Sequence, residues 1–117
     1  MLDIVFSPDR RFATIKLYGQ LWQRQDMREL KDGVEKVKTQ NIKYIVLDLD
    51  RLSFLDSDGL GVIIKVFNSL KEAGGQLLLF RPQGPVKDLL ELSVVDSFIP
   101  VVETEKELNE KIAELPA

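Results

Sequence analysis

With 117 residues and a formal net charge of −3, the chain is sized for one small domain and carries no surplus of positive charge. Its 44% hydrophobic and 30% charged residues belong to a folded rather than a disordered chain. Neither histidine nor cysteine occurs, which excludes disulfides, zinc sites built from those ligands and the commonest general base near neutral pH.

Charge is unevenly placed. Residues 103–117 hold five glutamates against two lysines, which leaves the first 102 residues balanced at 14 acidic and 14 basic groups. No basic stripe suited to a phosphate backbone is present, so nucleic acid is not an expected partner. No run approaches the roughly 18 apolar residues of a membrane span, and the opening residues show no basic-then-apolar signal pattern. A soluble, cytoplasmic protein without direct membrane insertion is the expectation.

In chain order, Ile4-Val5-Phe6 and Phe12 to Leu17 are two short apolar runs separated by the turn residues Ser7-Pro8-Asp9, a hairpin pattern ended by Gly19. Met27, Leu30, Val34 and Val37 then recur at helical spacing. Tyr44 to Leu49 is rich in β-formers and is assigned to a central strand. Leu60, Ile63, Ile64, Phe67 and Leu70 form a second helical stripe closed by Gly74-Gly75, followed by a strand at Gln76–Phe80. Pro85 to Glu91 reads as a short helix with proline in its first turn. Phe98 to Val102 reads as a last strand, and Thr104 with Glu107 as the capping box of a final helix carrying Leu108, Ile112 and Leu115. The order β-β-α-β-α-β-α-β-α predicts an α/β fold with a mixed, mostly parallel sheet flanked by helices, residues 1–117 forming a single domain. The expected core includes Ile15, Leu17, Leu30, Val34, Val46, Leu49, Ile63, Phe67, Leu78 and Leu89.

The densest polar cluster, Asp48 to Gly59, follows the central strand, where parallel sheets present their chemistry. Asp56, Ser57 or Asp58 can cap the next helix, and a phosphate on Ser57 would lie at the positive helix end. Capping alone is the simpler use of such residues. Asp48, Asp50, Asp56 and Asp58 are hard oxygen donors of the type Mg²⁺ takes, but the first strand brings only Asp3, at its start. Ser57 has no histidine base, and Lys65 and Lys71 lie one or more helical turns away. No nucleotide-binding glycine motif occurs. The expectation is no catalytic residue, no metal and no cofactor.

The stretch Leu52-Ser53-Phe54-Leu55-Asp56-Ser57-Asp58-Gly59-Leu60-Gly61-Val62-Ile63 closely resembles the signature of bacterial anti-sigma factor antagonists, a branch of the STAS domain family. Further parallels are Leu17-x-Gly19-x-Leu21, Ile45 to Leu49, Gly74-Gly75 and Val86-x-x-Leu89. The resemblance implies a non-enzymatic binding module whose Ser57 is phosphorylated by a partner serine kinase that is also the anti-sigma factor. Unphosphorylated, such a domain sequesters the kinase; phosphorylation ends binding, and a serine phosphatase restores it. Ser53, Phe54, Asp56, Ser57, Asp58, Gly59, Leu60 and Trp22 are the partner-binding residues this implies. Two positions depart from the family pattern: Asp58, where relatives often carry Ser, Thr or Ala, and Trp22, where an acidic residue is frequent. The alternative reading is a constitutive interaction or scaffold subunit in a signalling or membrane-linked assembly, with Ser57 only a helix cap.

Overall fold

In a computed structural model describing residues 1–117, the opening hairpin pairs β1 (Leu2–Phe6) antiparallel with β2 (Ala13–Leu21), Leu2 opposite Leu17 and Phe6 opposite Ala13. Ser7 holds the turn: its buried hydroxyl accepts from the amides of Arg11 and Phe12 and donates to the Asp9 carboxylate at 2.7 Å. Three β-α-β crossovers follow, through α1 (Arg24–Lys38), β3 (Tyr44–Leu55), α2 (Ser57–Glu72), β4 (Gln76–Phe80), α3 (Gly84–Leu92) and β5 (Val101–Val102). The five strands lie in sequence order, and the pairs β2–β3, β3–β4 and β4–β5 are parallel. The mixed, mostly parallel sheet expected from the element order is therefore the fold. No helix is long and apolar enough to cross a membrane.

Alternation along β3 decides the layering. Ile45, Leu47 and Leu49 point into the large core formed with α1, α2 and α3, whereas Val46 faces a smaller cluster with Leu78, Phe80, Val102 and Ile112 of α4 (Glu105–Glu114). Eight of the ten expected core residues are buried; Phe67 and Leu89 are half-buried at the core margin. Thr104 caps α4, accepting from the Glu107 amide at 3.1 Å. The helix docks through Ile112, with Leu108 and Leu115 half-buried, and the Arg11 guanidinium holds its end through the carbonyls of Ile112 and Leu115.

Three boundaries differ from the sequence expectation. Gly19 does not end β2: with φ +76 it sits in a bulge where the register to β3 shifts, and the strand resumes to Leu21. β3 does not stop at Leu49 but continues to Leu55, pairing there with β2 alone because β4 ends opposite Asp48. That one-sided stretch buries Leu52 and Leu55 and exposes Arg51, Ser53 and Phe54, so it lacks the apolar continuity of a central strand. The final strand is only Val101–Val102; a 3₁₀ turn at Val95–Ser97 precedes it, and Phe98 lies outside the sheet.

Candidate functional site

The extension of β3 carries the signature segment to the sheet's carboxyl edge, where α2 begins directly after it. Asp56 is the cap: its extended backbone breaks the strand, and its carboxylate accepts from the Gly59 amide at 2.9 Å. Ser57 is the first helical residue and Asp58 the second, both exposed, and the Ser57 hydroxyl makes no hydrogen bond within the chain. The helix-cap role that the alternative reading gave to Ser57 thus belongs to Asp56. Its carboxylate also occupies the Gly59 amide, so a phosphate on Ser57 meets the amides of Ser57 and Asp58 rather than a full set of first-turn donors.

Gly59 sets how closely α2 approaches the sheet. A Cβ there would overlap the Leu21 carbonyl oxygen and lie 3.2 Å from its carbon and 3.3 Å from the Leu21 Cγ. The start of α2 is thereby seated on the end of β2, which fixes Ser57 relative to the next residue, Trp22. Gly59 and Leu60 are buried, so their place is beneath the surface that Ser57 and Asp58 present.

Trp22 and Phe54 project from the neighbouring ends of β2 and β3. Their rings meet edge to face, with centroids 6.3 Å apart, and remain 44% and 39% exposed. Trp22, one of the two departures from the family pattern, packs at the sheet edge against Phe54. Ser53 is tied back by a hydroxyl bond to the Gly19 carbonyl at 2.9 Å, which braces the bulge beneath the aromatic pair. Beside them opens a shallow cleft of about 530 Å³, lined in part by Tyr18, Trp22, Gln23, Asp26 and Ser53. The Tyr18 hydroxyl donates to the Asp3 carboxylate at 3.0 Å, and this bond, with some desolvation, raises the phenol above its ordinary 10.0. Tyr18 and Gln23 were not singled out in the sequence, since only the β2 bulge brings them beside Ser53.

Of the four aspartates considered as oxygen donors, three have separate occupations and Asp58 projects into solvent. Asp48 accepts from the Asp50 amide, Asp50 accepts from the Gln83 side-chain amide and lies 3.8 Å from Arg51, and Asp56 caps α2. No three acidic side chains converge anywhere in the fold.

The family model for the STAS domain matches residues 23–108. The chain belongs to the STAS domain family. An anti-sigma F factor antagonist from Paenibacillus polymyxa is 30% identical over 105 residues, 89% of either chain. An anti-sigma-B factor antagonist from Listeria monocytogenes is 28% identical over 81 residues, 69% of this chain and 71% of that protein. Among solved structures, unphosphorylated SpoIIAA, an anti-sigma factor antagonist, superposes with a TM-score of 0.79 at 20% identity over the full length of both chains. The phosphorylated form of the Bacillus protein gives 0.72 at 20% identity, covering 96% of this chain and 99% of that one. This STAS domain therefore shares the whole fold of that protein in both of its states and resembles the antagonists over nearly its entire length.

Proposed function

We propose that this STAS domain is an anti-sigma factor antagonist switched by phosphorylation of Ser57, residues 1–117 acting as one cytoplasmic unit. Unphosphorylated, it sequesters a serine kinase that is itself the anti-sigma factor; a serine phosphatase resets the phosphorylated form. The observation that carries this reading is the free, exposed Ser57 hydroxyl at the same end of β3 as the exposed Trp22–Phe54 pair, with Asp56 already serving as the cap. A serine needed for capping would be a poor switch, because its modification would disturb the helix. Here the domain is a substrate: the kinase supplies ATP, Mg²⁺ and the base.

The electrostatics favour loss of binding over unfolding. Phosphate adds about −1.5 to −2 charge to a surface that already displays Asp58 and the half-exposed Asp56. A partner closing over Trp22 and Phe54 would have to desolvate that charge. Aromatic anchors at an interface centre carry much of the binding energy, so a small gap opened at Ser57 weakens binding steeply. The test is phosphopeptide mass spectrometry after incubation with ATP and each serine-kinase anti-sigma factor of the source genome. Phosphate on Ser57, absent in S57A, is the expected result; modification elsewhere, or none with any such kinase, overturns the assignment.

A further inference from the structure

Leu92, Val94 and Phe98 fall within seven residues and are 83%, 63% and 47% exposed, the densest display of apolar side chains on the surface. Val94 follows the Ser93 cap of α3 with φ +54, the left-handed conformation in which glycine is usual and a β-branched residue is strained. Its side chain is exposed rather than buried, so the fold gains little from a valine here. Strain of this kind points to a use outside folding.

The patch continues onto α2. Phe98 meets Phe67 with ring centroids 5.7 Å apart, and Ile64, Gly61 and Ser57 lead back from Phe67 at three- and four-residue steps along one helix face. Ten residues of helix, about 15 Å, separate Phe67 from Ser57. Asp88, Glu91 and Asp96 lie within four residues of Leu92 or Val94 along the chain, all exposed and none in an ion pair, while Lys87, the one basic side chain of this segment, pairs with Glu103 at 3.7 Å.

We propose that Leu92 and Val94 form a second, phosphate-independent anchor for the same kinase, which meets them with an apolar side chain ringed by lysine or arginine. The proposal rests on the Ser57 reading above and deepens it. A standard interface covers roughly 800 Å² per partner, a disc roughly 32 Å across, which reaches from Ser57 to Phe98. Across that distance the phosphate charge is screened, the Debye length being about 8 Å at physiological salt. Phosphorylation therefore weakens one end of the interface and leaves the other, so affinity falls to a floor instead of vanishing. A second copy of this chain is the poorer occupant, because a two-fold contact centred on the patch would set its acidic neighbours against themselves.

The test is calorimetry of each purified serine-kinase anti-sigma factor of the source genome with wild type, L92S and V94G, each unphosphorylated and phosphorylated on Ser57. Thermal unfolding and sedimentation of the free proteins accompany it. Both variants are expected to bind about tenfold more weakly in both phosphorylation states, a loss of the size that only a minority of interface residues reach. V94G is expected to keep or raise its Tm, because glycine relieves the left-handed strain, so weaker binding would not come from unfolding. Unchanged affinity in both variants, with the Ser57 switch intact, overturns the anchor alone. Failure of wild type to bind any such kinase overturns the anchor and the switch together. A wild-type dimer that L92S splits assigns the patch to a second copy and overturns the proposal.

Discussion

Gly59 and Gly61 lie two residues apart on α2, and alanine at these positions is expected to act with opposite signs. At Gly61 nothing stands within 4 Å of an added Cβ, so the variant gains helix propensity, about 1 kcal/mol. At Gly59 the same methyl meets the Leu21 carbonyl, a backbone atom fixed by the sheet. Overpacking against such a neighbour costs roughly 1–3 kcal/mol after local adjustment. For a chain of 117 residues, an unfolding entropy of about 2.1 cal/mol/K per residue makes 1 kcal/mol worth roughly 4 °C in Tm. G61A should therefore melt about 4 °C higher than wild type, and G59A roughly 4–12 °C lower, read by circular dichroism at 222 nm. Because Leu21 precedes Trp22, the G59A shift also moves Ser57 away from the aromatic pair, and kinase binding should weaken beyond the loss in stability. A G59A protein as stable as wild type would refute the seating of α2 on β2.

At the same helix start, D56A should cost about 1 kcal/mol through the lost cap, whereas S57A should stay within about 0.5 kcal/mol of wild type in urea unfolding; the reverse order would return the cap to Ser57. The Tyr18 phenol should titrate above 10.0 in NMR of ring-labelled tyrosine and fall back toward that value in D3N. Its folded value is raised, so the stabilisation is complete below pH 10 and is lost as pH climbs through the raised value; equal titration in D3N would remove Asp3 as the cause. I112A should destabilise by about 2 kcal/mol, the low end for a buried isoleucine at a core edge, and deletion of residues 104–117 should lower Tm further. An unchanged midpoint after deletion would reject the docking of α4.

Element types and order were legible because the apolar runs carried distinct signals: period two in Ala13–Leu17, 3.6 in Met27–Val37 and Leu60–Leu70, and an unbroken β-prone run in Tyr44–Leu49. Boundaries failed where pairing is one-sided. Asp50, Arg51 and Ser53 read as a loop because water reaches one edge and one face of β3 there, and only β2 supplies hydrogen bonds. Gly19 looked like a terminator because a bulge and a strand end use the same residue. At the site, the Asp56-Ser57-Asp58 cluster was visible, but three adjacent oxygen side chains cannot be ranked as caps without the backbone angles that single out Asp56. The meeting of Trp22 with Phe54 depends on the shifted β2–β3 register, which no local pattern encodes. Val94 gave no signal, since nothing in Ser93-Val94-Val95 announces a left-handed residue.

Phosphate on Ser57 should release the partner without unfolding the domain. Calorimetric titration of the cognate kinase with wild-type, S57A and quantitatively phosphorylated protein measures this, with circular dichroism as the check on fold. Tight binding by wild type and S57A, and at least tenfold weaker binding by the phosphorylated protein with an unaltered spectrum, is the predicted result. Equal affinity for the phosphorylated and unphosphorylated forms would contradict it.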